Sequence, residues 1–173
     1  MKHLLLVLLS ANCLLAAAQT TKPVYRKTSV EKVTGVDSTT ILYNLGWDFY
    51  KLDSLGTARY YWDLATRAKG KSASRYAAYY RLGLMQQNGE AVDTNLVMAM
   101  DYYKKAAGTP TQKGDPDAIK AIGGFYENGY GVEKSDTKAL EWYLKAKAAG
   151  NNFVDDDIQR VREKIRIYRL PKQ

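Results

Sequence analysis

The sequence has very few of the side chains on which enzyme and metal sites are most often built. Its 173 residues include one cysteine, Cys13, and one histidine, His3, and both stand near the N-terminus. The chain beyond them has no thiol and no imidazole, which excludes cysteine nucleophiles, Ser-His-Asp triads and His or Cys metal sites there. It also has no cysteine pair for a disulfide, so its fold depends on core packing. We expect no cofactor.

The N-terminus lacks an apolar run long enough to span a membrane, which takes roughly 20 residues. A basic start precedes an apolar run from Leu4 to Leu15, and three alanines end at Ala18. This pattern predicts a secretory signal peptide at 1–18. No second apolar run follows, so we expect an exported protein without a transmembrane segment, either periplasmic or secreted. Lipid anchoring at Cys13 is the alternative, which Asn12 disfavours because a lipobox has a small residue there.

Acidic residues are in the minority. The chain has 26 Lys and Arg residues against 18 Asp and Glu, for a formal net charge of +8. An excess of positive charge favours anionic partners. For an exported protein these are acidic proteins, anionic glycans and phospholipid headgroups, and the compartment disfavours nucleic acid. A basic run from Arg160 to Lys172 would suit an anionic surface. It also complements the dipole of a helix whose acidic start is Asp155–Asp157 and whose basic residues lie towards its end.

What the sequence does contain is a repeat. The stretch "NGYGVEKSDTKALEWYLKA", Asn128–Ala146, follows the pattern of "NGEAVDTNLVMAMDYYKKA", Asn88–Ala106. A third copy with a shorter connector precedes them, with its two halves at Leu42–Tyr50 and Ala58–Ala65. One such unit cannot bury its own apolar face, so successive units are expected to stack.

Each copy has the pattern of a helical hairpin. The first helix carries a glycine, Gly83 or Gly123, that costs about 1 kcal/mol of helix stability relative to alanine. We therefore expect each glycine to allow a close approach between helices. Asn128 or Gly129 suits the left-handed end of a first helix, and Gly131 offers a second position for a positive φ. Asn95 and Ser135 suit the start of the second helices.

The domain organisation follows from these units. Residues 19–37 lack a helical apolar stripe and predict a linker or loosely ordered arm. The repeat domain is predicted at 38–150, and a capping helix within 151–173 with a charged outer face. The repeats are placed at about 38–70, 75–108 and 115–150. The apolar stripe of the capping helix comprises Val154, Ile158, Val161, Ile165 and Tyr168.

The last copy resembles the Sel-one-like repeat (SLR), a branch of the tetratricopeptide superfamily. The residues that carry the resemblance are Ala118, Ile122-Gly123, Tyr126, Gly129, Gly131-Val132, Ala139, Trp142-Tyr143 and Lys145-Ala146. The middle copy departs from the pattern at Gln86 and Ala91, where a tyrosine and a glycine are expected. The resemblance implies an all-α, right-handed α/α superhelix of about three hairpins plus the capping helix. It also implies a non-catalytic adaptor that binds proteins or peptides on its concave face.

Tetratricopeptide geometry then selects the first-helix residues that face a groove. These are Tyr43, Trp47, Tyr50 and Lys51 in the first copy, Tyr80, Leu84 and Gln87 in the second, and Lys120, Gly124 and Glu127 in the third. Tyr43, Trp47, Tyr50, Lys51, Tyr80 and Lys120 form the predicted partner-binding set. Aromatic burial would give affinity, and the lysines would favour acidic partners. The alternatives are that the aromatics bind a glycan or cell wall, or that the arm or a neighbouring chain covers them.

Other patterns have simpler structural explanations. The carboxylates Asp101 and Glu141 occupy the same position in successive copies, which indicates a scaffold role rather than a glycosidase pair. Asp155–Asp157 lacks the alternating ligands of a calcium loop. The second-helix aromatics are predicted to be core residues: Tyr61, Trp62, Tyr102, Tyr103, Trp142 and Tyr143. With so few copies, dimerisation through an end of the solenoid stays open.

Overall fold

The computed structural model describes residues 37–68, 72–109 and 112–168. The predicted signal peptide and residues 19–36 of the predicted arm lie outside these ranges. The helices within them are α1 (Ser38–Lys51), α2 (Leu55–Arg67), α3 (Ser74–Asn88), α4 (Leu96–Ala106), α5 (Pro116–Asn128), α6 (Asp136–Ala149) and α7 (Asp155–Tyr168). The helices α1–α2, α3–α4 and α5–α6 form three stacked hairpins, and α7 packs on α6. The predicted all-α solenoid with a C-terminal capping helix is confirmed.

Each hairpin closes by placing an aromatic ring of its second helix against a glycine of its first. A Cβ atom added to Gly83 would lie 2.5 Å from a ring carbon of Tyr103, and one added to Gly123 would lie 2.6 Å from Tyr143. In the first hairpin, Gly46 faces the Trp62 ring in the same way, at 2.4 Å. The predicted close approach is confirmed, and the structure identifies the aromatic ring as the group that needs the space.

The helix ends follow from local chemistry. The side chains of Asn95 and Ser135 accept hydrogen bonds from the backbone amides of Met98 and Lys138, as predicted for N-caps. Gly129 ends α5 in the left-handed conformation, at a φ of 76°. These contacts use residues within four positions of each other, which explains why the sequence predicts them well.

The middle connector holds a backbone strain that the last one avoids. Ala91 stands where the last copy has Gly131, and it adopts the same left-handed conformation, with a φ of 57° against 64°. An L-residue pays about 1–2 kcal/mol for this conformation, and glycine does not.

Replacing Ala91 with glycine is therefore expected to raise the free energy of unfolding by about 0.5–1 kcal/mol, after allowing for the greater freedom of glycine in the unfolded chain. Urea denaturation would measure the change. The matched variant Ala91→Val should lower stability by more than about 1 kcal/mol, because β-branched residues fit this conformation poorly. Equal stability of the three proteins would contradict the assignment of strain to this residue.

The connector between the second and third hairpins contains two short strands that the sequence did not predict. Strands β1 (Gly108–Thr109) and β2 (Gln112–Lys113) pair antiparallel, with Gly108 opposite Lys113. Gly108 has a φ of 75°. The ribbon leads directly into the N-cap of α5, where Asp115 accepts hydrogen bonds from the amides of Asp117 and Ala118.

The core lies between the first and second helices and continues into α7. Four of the six predicted second-helix aromatics are buried, whereas Tyr102 and Trp142 are only half-buried at its edge. The apolar stripe packs as predicted from Val154 to Val161, and Ile165 is partly buried against the same cluster, but Tyr168 is 80% exposed. Its assignment to the buried stripe was wrong, because Tyr168 is the last residue of α7, where the stripe has run past the core it packs on.

Candidate partner-binding groove

A cavity of about 490 Å³ opens between α3 and α5; we call it the groove pocket. Its lining residues are Tyr80, Leu84, Gln87, Tyr103, Asp117, Lys120, Ala121, Gly124, Phe125, Asn128, Tyr130 and Tyr143. Five of the predicted first-helix positions in the second and third copies are among them. The pocket is an open depression in which aromatic and aliphatic side chains alternate with four polar or charged ones, Gln87, Asp117, Lys120 and Asn128.

The base of the groove pocket is fixed by two equivalent hydrogen bonds. The Tyr103 hydroxyl donates to Oε1 of Gln87 at 2.6 Å, and the Tyr143 hydroxyl donates to Oε2 of Glu127 at 2.8 Å. Burial raises the pKa of both tyrosines above its usual range, so both stay neutral donors. The Tyr80 ring lies 5.8 Å from the Tyr103 ring and forms part of the wall. The pocket is thus preformed by the hairpin packing.

The wall of the groove pocket contains a gap at Gly124. A Cβ atom added there would meet only the Tyr143 hydroxyl, at 3.6 Å, which is ordinary van der Waals contact. The equivalent residue in the second copy is Leu84, which also lines the pocket. A larger side chain at position 124 would therefore project into the pocket without disturbing the hairpin.

The structure brings Tyr80 and Lys120 together in the groove pocket, but the charge of Lys120 is already paired. Its ammonium group lies 3.0 Å from a carboxylate oxygen of Asp157 and donates to the carbonyl oxygen of Phe153 at 2.6 Å. Lys51 lies at the exposed end of α1 and pairs with Asp48 at 2.9 Å. Both predicted cations thus have carboxylate partners within the chain.

The aromatic residues of the first copy lie beside the groove pocket rather than in it. Trp47 and Tyr50 stack on each other, with ring centroids 5.5 Å apart and an interplanar angle of 2°. Trp47 also approaches Trp62, at 6.3 Å, so it supports the first hairpin. Tyr43 lines a second cavity of about 290 Å³, together with residues that include Tyr76 and Lys113.

Arg81 connects these two groups, and sequence reasoning missed it. Its guanidinium carbon lies 4.3 Å from the centroid of the Trp47 ring and 5.7 Å from that of Tyr80. Arg81 follows Tyr80 directly and points away from the predicted groove positions by helical periodicity. Comparison of the copies could have identified it, because the second copy has an arginine where the last copy has Ala121.

Glu127 was predicted to face the groove, but it is buried at the junction of α5, α6 and α7. It receives hydrogen bonds from Arg160 at 2.8 and 2.9 Å, from Lys164 at 2.6 Å and from the Tyr143 hydroxyl. These bonds, those of Arg160 first, lower the pKa of Glu127 to about 2. Its groove assignment was wrong, because α7 lies over it and supplies its cations.

The carboxylates of the described ranges do not gather into a metal site. No group of three or more His, Cys, Asp or Glu side chains there is arranged to hold an ion. Asp101 and Glu141 are both exposed on the outer side of the second helices. Within the same part of the chain, every helix is too short or too polar to cross a membrane.

Comparison with known proteins agrees with the repeat structure. Residues 77–107 and 116–151 match the family model described as Sel1 repeat. The chain is similar to the crystal structure of a Sel1 repeat protein from Oxalobacter formigenes, at 27% identity and a TM-score of 0.58, over 71% of this chain and 89% of that one.

A second similar structure is a protective antigen present in uropathogenic Escherichia coli strains, which displays an SLR fold. Its identity is 24% and its TM-score 0.57, over 74% of this chain and 26% of the antigen, so this likeness concerns the fold alone. No curated protein matches the chain. The matched repeats, the stacked hairpins and the similar structure from Oxalobacter formigenes together show that this chain contains Sel1 repeats.

Proposed function

We propose that this protein binds a protein or peptide partner along the face built by its first helices, with an apolar side chain of the partner seated in the groove pocket. Sel1 repeat proteins are generally non-catalytic scaffolds for protein interactions. The observation that supports the site is the preformed cavity of about 490 Å³ with Tyr80, Leu84 and Phe125 in its lining. Buried apolar anchors of this kind carry most of the energy in protein interfaces.

A peptide suits this face better than a glycan does. Sugar rings stack on open aromatic faces, but Trp47 is already stacked on Tyr50 and approached by the Arg81 guanidinium. The groove pocket instead offers amide groups suited to a peptide backbone. The Oε1 atom of Gln87 accepts the Tyr103 hydrogen bond, and Nδ2 of Asn128 donates to the carbonyl of Gly124. The Nε2 donor of Gln87 and the Oδ1 acceptor of Asn128 remain to bind a partner.

Filling the groove pocket is a sharper test than removing the aromatic residues predicted to bind the partner, because Trp47 and Tyr80 also pack against the buried rings of Trp62 and Tyr103. We expect Gly124→Leu to abolish peptide binding, since its side chain would occupy the pocket, while the melting temperature stays equal or rises. Short peptides selected by display on the wild-type protein would be the ligands, and fluorescence anisotropy would measure their affinity.

The matched control is Gly124→Ala, which adds only a methyl group and should keep binding within a few-fold of wild type. If the selected peptides bound Gly124→Leu as tightly as the wild type, the groove pocket would not be their site. A panel of immobilised glycans and cell-wall fragments in the same assay tests the alternative ligand class. Binding to that panel, and not to peptides, would overturn the proposal.

We further propose that the protein is exported after cleavage at Ala18, on the strength of the apolar run and the small residues before Gln19. Mass spectrometry of the protein recovered from the envelope and the medium should then find a mature N-terminus at Gln19. A mature N-terminus at lipid-modified Cys13 would instead establish the anchored form. Recovery of chains that still begin at Met1 would contradict export by this route.

A further inference from the structure

We propose that Arg81 receives a carboxylate of the partner, so that the face of the first helices recognises an acidic peptide segment through this arginine rather than through Lys51 or Lys120. The inference rests on the proposed peptide-binding function and adds the chemistry of the ligand. It also assigns the attraction for an acidic partner to Arg81, instead of to the two lysines that the sequence suggested.

Lys120, which lines the groove pocket, and the two cations of α7 that contact Glu127 already have carboxylate partners. Lys120 pairs with Asp157 at 3.0 Å, and Arg160 and Lys164 pair with Glu127 at 2.8 and 2.6 Å. Lys51, at the far end of α1, pairs with Asp48. A partner carboxylate would have to displace these contacts in order to bind any of the four groups.

Arg81 differs from these cations. It takes part in none of the ion pairs among the described residues, and its Nε atom is buried without a hydrogen-bond acceptor. A buried donor without a partner is costly, so this guanidinium is incompletely satisfied in the free protein. The guanidinium is held over the Trp47 ring at 4.3 Å and near the Tyr80 ring at 5.7 Å.

This setting suits a carboxylate. Contact with the rings leaves the two Nη groups at the end of the planar guanidinium unpaired, and two such groups bind a carboxylate through two parallel hydrogen bonds. The nearby acid Asp115 does not fill this role, because no ion pair among the described residues joins it to Arg81, and its Oδ1 atom accepts the amides of Asp117 and Ala118 at 2.9 and 3.1 Å. Aromatic walls also exclude water, which strengthens an ion pair formed between them.

The position of Arg81 also predicts that the apolar side chain and the carboxylate of the ligand lie close together. Tyr80 lines the groove pocket, and the guanidinium carbon of Arg81 lies 5.7 Å from the centroid of its ring. A peptide whose apolar side chain enters the pocket would therefore carry its carboxylate close by along the chain. An aspartate or glutamate side chain and a free C-terminus would both supply the same chemistry.

Display of short random peptides, capped at both ends, on the full chain tests the inference. We expect the enriched sequences to share an acidic residue near an apolar one. Replacing that acidic residue with its amide should weaken binding at least about ten-fold, and Arg81→Gln should do the same. The two changes together should cost little more than either alone, because they remove one interaction. Free and amidated C-termini on the same peptide would separate the two carboxylate sources.

The matched control is Arg67→Gln, which removes the same charge from an exposed pair on α2 and should leave affinity within about two-fold. Arg81→Lys keeps the charge without the planar fork and should bind at an intermediate level. The amide change in the peptide leaves the protein intact, so it tests the pair even where Arg81→Gln lowers stability. Enriched peptides without an acidic residue would overturn the role of Arg81 alone, and no enrichment at all would overturn the proposed function.

Discussion

Replacing Glu127 with alanine is expected to lower the free energy of unfolding by about 2–4 kcal/mol, the largest stability effect that this structure predicts. The Glu127 side chain is 5% exposed and accepts hydrogen bonds from Arg160, Lys164 and the Tyr143 hydroxyl. Removing one partner of a buried ion pair typically costs about 3–5 kcal/mol. The cost here is placed lower because the two cations are partly exposed and would be hydrated in the variant. Urea denaturation gives the measurement.

Two further variants show that burial causes the effect. Glu163→Gln removes an exposed carboxylate that pairs with Arg166 on the same helix, and it should leave the free energy of unfolding almost unchanged. Glu127→Gln reproduces the residue of the second copy, Gln87, and keeps an acceptor for Tyr143, so it should fall between the wild type and Glu127→Ala. Equal effects of Glu127→Ala and Glu163→Gln would refute the structural role of the buried pair.

The same carboxylate predicts how stability depends on pH. Its folded-state pKa is about 2, against an ordinary value of 4.5 that we take for the unfolded chain. A group with a lowered folded pKa adds stability that is fully present above pH 4.5 and is lost as the pH falls towards 2. The shift corresponds to about 3 kcal/mol, which agrees with the estimate from the ion pair. The stability difference between wild type and Glu127→Gln should therefore shrink steadily over this interval, and a constant difference would contradict the assignment.

The repeat pattern predicted the fold well because its signals are local. Asn95 and Ser135 cap helices through amides three residues away, and Gly129 ends its helix through its own backbone conformation. Leu84 and Gly124 were assigned to one groove from the geometry of the family that the repeats resemble, and both line the groove pocket. The capping inferences need no knowledge of the relative positions of distant helices.

The sequence could not predict contacts that depend on how α7 docks. Glu127 and Gln87 occupy the same repeat position, and only the contact with α7 makes one of them part of a buried ion pair. Arg81 was missed for a related reason. A long side chain can reach across to Trp47 on the neighbouring hairpin, so periodicity along its own helix does not determine what it touches.

The second large effect concerns two adjacent glycines of α5, which should respond to alanine in opposite directions. Gly123→Ala is expected to lower the free energy of unfolding by about 2–3 kcal/mol, because its Cβ would lie 2.6 Å from the Tyr143 ring. That ring is buried, and its hydroxyl is held by Glu127 at 2.8 Å, so it cannot move aside cheaply. Thermal and urea unfolding of both variants would measure the difference.

Gly124→Ala should instead raise stability by up to about 1 kcal/mol, the gain in helix propensity, because its Cβ meets no atom closer than 3.6 Å. The two substitutions change the composition and propensity of the same helix identically. Any difference between them therefore measures packing alone. Similar effects in both variants would mean that the glycine is not needed for the close approach of the two helices. Opposite effects would show that Gly123 is kept for the Tyr143 ring, whereas the packing of the hairpin does not require a glycine at position 124.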